Sequence, residues 1–113
     1  MERTLKALTA LNGRVYVFLA NDEVGKAFLA QAEAEGVLFE DGAVPTSRPY
    51  ATVMAINHDG TLNYVGTNGV IAFRVGADTI GTEKLIRVDY EKYASGAQDY
   101  LYYARRRCVC KKI

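Results

Sequence analysis

The stretch from Arg14 to Gly42 restricts the fold of this chain more than any other. It opens with Val15-Tyr-Val-Phe-Leu19, a continuous apolar run rich in β-branched and aromatic residues. Such a run reads as a strand, over 14–20, that is covered on both faces or central to a sheet. Asn21 follows, with an oxygen able to accept from the free N–H groups of a helix start, and Asp22 and Glu23 lie where the helix dipole favours negative charge. At the helical period Val24, Phe28 and Ala32 share a stripe with Gly25 and Leu29 beside it, while Lys26 and Glu33 fall opposite. Gly36 supplies the left-handed residue that closes such a helix. A helix over 22–35 therefore leads into a second strand over 37–40, which ends at Asp41-Gly42. This βα-β unit is expected to lay its helix on one face of the sheet, with a right-handed crossover if its strands are parallel.

The flanking segments carry weaker patterns. Leu5, Leu8 and Leu11 suit one face of a short helix stopped by Asn12-Gly13, or an irregular strand before that turn. Residues 43–49 contain both prolines and form a loop. Tyr50 to Asn57 alternates as a strand, His58-Asp59-Gly60-Thr61 signals a hairpin, and Thr61 to Val65 returns. Gly66-Thr-Asn-Gly69 reads as a turn before a strand over 70–75, Gly76 to Gly81 as a connection, and Lys84 to Asp89 as a last strand. The result is an antiparallel meander over about 50–89 and an α+β fold class. Residues 90–94 and 95–107 are open between short helix and extended arm.

With 113 residues the chain has a single-domain length, at which folding buries roughly two-thirds of the extended chain's surface and one core suffices. The expected organisation is one α+β domain over 1–96 and a Tyr-rich basic tail over 97–113. Half the residues are apolar and 24% are charged, a balance that excludes a disordered body. The longest uncharged apolar run, Val15 to Ala20, is too short for a bilayer, and the first residues lack the apolar core of a signal peptide. A cytoplasmic protein without membrane contact is expected.

Reactive chemistry has few carriers. A Ser or Cys nucleophile needs a base, commonly His, and a group to orient it. The one His, His58, lies in the hairpin turn beside Asp59 and reads as a solvent-exposed turn residue. Cys108-Val-Cys110 is too closely spaced for an easy disulfide and supplies half of a structural zinc site at most. The Gly-rich segments lack the Lys-Ser/Thr ending of a phosphate loop. No catalytic residue, metal or cofactor is assigned, and a non-enzymatic protein is expected.

Binding has better candidates. Ser47 and Arg48 sit on the proline loop. Charge is segregated: nine Lys/Arg face thirteen Asp/Glu up to Ala104, and five cations follow with no acidic side chain. In the tail Tyr100, Tyr102 and Tyr103 precede Arg105, Arg106 and Arg107. Aromatic rings stack on bases while Arg neutralises phosphate, so this combination suits single-stranded nucleic acid or a nucleotide. The same tyrosines suit packing on the sheet or on a second subunit.

The strand Val15–Leu19, the acidic helix start Asn21-Asp22-Glu23, the Ala/Glu-rich helix closed by Gly36, Phe39 followed by Gly42, and the later hairpin strands together resemble a group of small proteins of phages, prophages and mobile elements of Gram-positive bacteria. The resemblance covers about residues 14–90 and rests on pattern. It implies no catalytic residues, and it implies an accessory role, since some small phage proteins block host defences by binding a nuclease or a signalling nucleotide. Three expectations follow: a cytoplasmic binding protein that inhibits or sequesters a host protein or nucleotide; a nucleic-acid-binding accessory protein using the tail; and a structural homo-oligomeric module.

Overall fold

Large apolar side chains in unbroken succession are stable only where both faces are covered, and Val15–Leu19 lies in such a place. The computed structural model describes residues 3–102, at Tyr102 the backbone alone. Its strands are β1 (Arg14–Phe18), β2 (Val53–Ile56), β3 (Leu62–Tyr64), β4 (Thr79–Ile80), β5 (Glu83–Asp89) and β6 (Leu101–Tyr102). Its helices are α1 (Leu5–Leu8), α2 (Asp22–Ala34), α3 (Gly66–Val75) and α4 (Tyr90–Ser95). These form an α+β fold around one mixed sheet of order β3-β2-β1-β5-β4, with β6 also on β5. β1 is central, antiparallel to β2 in the register Val15↔Ile56 and parallel to β5 in the register Val15↔Ile86.

The pleat divides the core. Val15 and Val17, with Met54, Ile56 and Val88, face a cluster made by Leu5, Leu8, Val24, Phe28, Leu29, Ala32, Tyr90 and Tyr93. Phe28, fully buried, anchors it, with Tyr90 edge-on at 5.2 Å between ring centroids. Tyr16, Val53, Ala55 and Leu85 point the other way, onto Phe73. α2 thus covers one face as expected, and α3 covers the other.

α3 corrects the meander. Residues 66–69 and 70–75 form one helix in place of a turn and a strand. β-Branched Val70, Ile71 and Val75 favour a strand locally, but tertiary packing overrides that preference. Gly69 and Phe73, four apart, share the sheet-facing side, and the helix closes at Gly76 in the left-handed region, φ 73°. A Cβ on Gly69 would lie 2.5 Å from Val65 Cβ and 3.3 Å from Tyr16 Cε2, so the helix sits as close to the sheet as a glycine allows.

The strand expected over 37–40 is also corrected. Phe39 makes a single parallel bridge to Leu62. Its own N–H donates to Ala43 O at 2.9 Å, and Gly42 N–H donates to Phe39 O at 2.8 Å, so the chain folds back at Asp41-Gly42 before a ladder can extend. The parallel partner of β1 is β5, much later in the chain.

The hairpin at 57–61 is present. Asn57 N–H donates to Thr61 O at 2.7 Å, Gly60 takes φ 86°, and the Asp59 carboxylate accepts from Thr61 N at 3.0 Å and from Thr61 Oγ1 at 2.6 Å. Residues 97–102 lie against the body. Arg3 Nη1 donates to Ala97 O at 2.8 Å, Asp89 N–H donates to Tyr100 O at 2.7 Å, and β6 adds to β5.

Candidate functional site: a slot between α2 and the proline loop

The site is built by one helix face and the loop that crosses it. Asn21 Oδ1 accepts from Val24 N–H at 3.0 Å and fixes where α2 begins. That start sets the phase of the helix. Val24, Gly25, Phe28, Leu29 and Ala32 turn inward, while Asp22, Lys26 and Glu33 lie along its outer flank. Opposite runs a 3-10 turn, Pro45–Ser47, whose Pro45 is buried. Between helix and loop lies a slot of about 390 Å³. The helix lines it with Asp22, Lys26 and Leu29, the loop with Thr46, Arg48, Pro49 and Tyr50.

The slot is closed at two places. Tyr50 donates its hydroxyl to Asp22 Oδ1 at 2.6 Å, and Thr46 donates to the Glu33 carboxylate. Asp22 and Glu33 are eleven positions apart on α2, so the two bonds clasp the loop to the helix at about three turns' separation. The bond to a carboxylate, with a smaller effect of burial, raises the Tyr50 phenol above its ordinary pKa. Tyr50 reaches the helix because position 25 has no side chain: a Cβ on Gly25 would lie 2.3 Å from Tyr50 Cγ. Tyr64 buttresses the loop from β3 by donating to Pro49 O at 2.5 Å.

Arg48 is held from behind. Its Nη2 donates to Asp41 Oδ2 at 2.7 Å, and its guanidinium lies 4.9 Å from the centre of the Phe39 ring. The Arg48 hydrogen bond, joined by the Ala43 N–H, holds the Asp41 carboxyl below its ordinary pKa, and Asp41 in turn raises Arg48. Lys26 makes no ion pair among the described residues. The slot therefore presents two cations, one fixed and one unpaired, and the Asp22 carboxylate, beside the apolar surface of Leu29, Pro49 and Tyr50.

Of the residues expected to bind, Arg48 lines this slot and Ser47 does not. The Ser47 hydroxyl donates to Val44 O at 2.6 Å and so completes the 3-10 turn. Tyr100 packs against the same core cluster as Tyr50, but beside β5 rather than toward β3. Its ring meets Tyr93 edge-on at 4.9 Å, and the Arg3 guanidinium lies 4.8 Å from its centre. Arg48, by contrast, stands on Phe39, which bridges to β3 at the far edge. The structure thus does not bring Tyr100 and the proline loop together. Tyr102 pairs through its backbone with Arg87. Tyr103, Arg105, Arg106, Arg107, Cys108 and Cys110 lie outside the described residues. Sequence reasoning missed Asp22, Lys26, Thr46 and Tyr50. A signal for Tyr50 was present: a glycine inside a helix can mark a close approach, and the first aromatic after the proline loop is Tyr50.

Two other concavities are less suited to a ligand. One of about 440 Å³ lies among Lys6, Thr9, Gly36 and the hairpin turn. Its His58 is exposed, as expected, with Nε2 2.5 Å from Glu83 Oε1, and its Asp59 is spent on Thr61, whose hydrogen bonds lower the Asp59 pKa. The other, about 290 Å³, is a gap on the outer side of β5 between Lys84 and Arg87. Among the described residues no group of three His, Cys, Asp or Glu could hold a metal ion, and no helix is long and apolar enough to cross a membrane. In comparisons with protein-family models, curated proteins and solved structures, nothing matched this chain.

Proposed function

We propose that this protein is a small non-enzymatic binding protein that sequesters or inhibits a cellular factor, in the manner of phage-borne accessory proteins, and that the slot between α2 and the proline loop is its contact site. One observation carries this reading. Lys26 and Arg48 flank an apolar floor of Leu29 and Pro49, in a cavity within the size range of ligand sites. A loop clasped to a helix at Asp22 and Glu33 and buttressed by Tyr64 supplies the pre-formed walls such sites use.

The test compares what the protein retains. Wild-type protein and the Lys26→Ala/Arg48→Ala double variant are purified side by side from host cells, and co-purifying proteins and extracted small molecules are identified by mass spectrometry. A species held by the wild type and lost from the folded variant supports the reading. Identical retained sets refute it.

A further inference from the structure

The slot's shape and charge say what class of molecule fits it, granted that the slot is the binding site. We infer that it takes a compact amphipathic anion: one carboxylate or phosphate head held between Lys26 and Arg48, carrying an apolar body small enough to lie on Leu29, Pro49 and Tyr50. Three features lead there. The first is closure. Tyr50 is bonded to Asp22 and Thr46 to Glu33, one bond at either end of the helix face that lines the slot. An extended peptide crossing this face has to break one of them, whereas a compact ligand enters between them.

The second feature is the balance of charge. Asp22 is engaged by the Tyr50 hydroxyl, and Asp41 stands behind Arg48, outside the lining. Arg48 commits Nη2 to Asp41 and, having five N–H donors, keeps others for a ligand. Lys26 has no ionic partner among the described residues. The lining thus carries Lys26 and Arg48 against the still-charged Asp22, an excess of one positive charge that a single anionic group balances, and the planar guanidinium suits the two oxygens of a carboxylate or phosphate. The third is the floor. Leu29, buried at 5% exposure, closes the bottom, and the accessible apolar surface is that of Pro49 and the Tyr50 ring, which a small inorganic ion would leave wet. The recognised chemistry is thus an anion with a hydrophobic body, either a carboxylate or a phosphate monoester.

The experiment titrates the ¹⁵N-labelled full chain with 4-phenylbutyrate, phenyl phosphate, inorganic phosphate, the neutral 4-phenylbutanol and an acidic hexapeptide, following the amides of Lys26, Leu29 and Tyr50. The expected result is binding of at least one aromatic anion at these amides, about tenfold or more tighter than 4-phenylbutanol, inorganic phosphate or the peptide. The same loss of about tenfold or more is expected on Lys26→Ala/Arg48→Ala. Preference between the two aromatic probes distinguishes a carboxylate from a phosphate head. No response at these amides to either aromatic anion, or equal binding of the neutral alcohol or the peptide, overturns the inference. If the probes fail while the double variant still loses its retained species, the ligand class is wrong and the binding site stands. If the retained set is also unchanged, both fall.

Discussion

Replacing Gly25 by alanine is expected to weaken this protein, although the same change in an ordinary helix strengthens it. Alanine is favoured over glycine by about 1 kcal/mol in a helix interior, and Gly25 lies in the first half of α2 with nothing in its backbone angles that requires glycine. What opposes the gain is Tyr50. The new methyl would lie 2.3, 2.5 and 2.6 Å from Cγ, Cδ2 and Cδ1 of the ring. Turning the ring about Cβ–Cγ leaves Cγ in place, so relief requires Tyr50 to leave its rotamer, breaking its bond to Asp22, or the loop to move. Overpacking of this kind costs about 1–3 kcal/mol. The net change is a loss of up to about 2 kcal/mol, which for a domain of this size lowers the melting midpoint by about 4–8 °C per kcal/mol. The decisive measurement is a double-mutant cycle by urea denaturation. In a Tyr50→Ala background the methyl meets no ring, and Gly25→Ala should then stabilise by about 1 kcal/mol. The coupling between the positions is therefore about 1–3 kcal/mol. Equal effects of Gly25→Ala in both backgrounds would refute the claim that glycine is there to admit Tyr50.

Three further outcomes test the frame that carries the slot. Glu35, at the end of α2, accepts from the N–H of Leu5 at 2.8 and 3.1 Å and of Lys6 at 3.2 Å, and so caps a helix distant in sequence. Glu35→Ala should cost about 1–2 kcal/mol by urea denaturation, and Glu35→Gln less, since its carbonyl still accepts. Tyr90 donates to Gln31 Oε1, and burial, with smaller effects of Glu35 and Tyr93, pushes its phenol up to about 12. Between pH 10 and 12 the unfolded chain releases this proton while the folded chain keeps it, so stability is full below pH 10 and falls as pH rises. Discounted for solvent screening, the loss is at most about 2 kcal/mol, and Tyr90→Phe should remove that part of the slope in a stability-versus-pH series. Gly69→Ala drives a methyl to 2.5 Å from Cβ of Val65, the N-cap residue of α3, and to 3.3 Å from Tyr16 Cε2 on the sheet and should destabilise by up to about 2 kcal/mol after its helix gain, measured as a fall in urea midpoint with the slope unchanged.

Legibility followed the scale at which each interaction acts. β1 and α2 could be read because their signals are local: an apolar run, Asn21 as cap, Asp22 and Glu23 in the first turn, Gly36 as stop. The hairpin was readable for the same reason, since Asn57, Asp59, Gly60 and Thr61 bond among themselves. α3 was not. Its glycines and β-branched residues speak for turn and strand, and only the fit of Gly69 and Phe73 onto Tyr16 and Val53, set by the sheet, makes a helix the better state. Phe39 looked like the end of a strand because its burial is real, yet burial there comes from packing beneath the proline loop. The slot was half legible. Arg48 stood out as a cation on a loop, but its partners Asp41 and Phe39, and the wall supplied by Asp22 and Lys26, depend on how 43–50 folds across α2.

That fold explains why the slot is suited to recognition. Ordering side chains on binding costs about 0.5–1.5 kcal/mol for each rotamer-rich group immobilised. Here most of that ordering is done before a ligand arrives: Tyr50 is tied to Asp22, Thr46 to Glu33 and Arg48 to Asp41, and Tyr64 holds the backbone at Pro49. Among the polar side chains lining the slot, Lys26 is the one without a hydrogen-bond or ionic partner within the described residues. A ligand anion would therefore meet a fixed guanidinium and fix the lysine. Discrimination between ligands would come from the rigid loop wall, and the salt dependence of binding from Lys26, which is exposed to solvent. Removing Lys26 should thus flatten the salt dependence more than it changes which anion is preferred, and Arg48→Lys, which keeps the charge and loses the planar fork, should do the reverse.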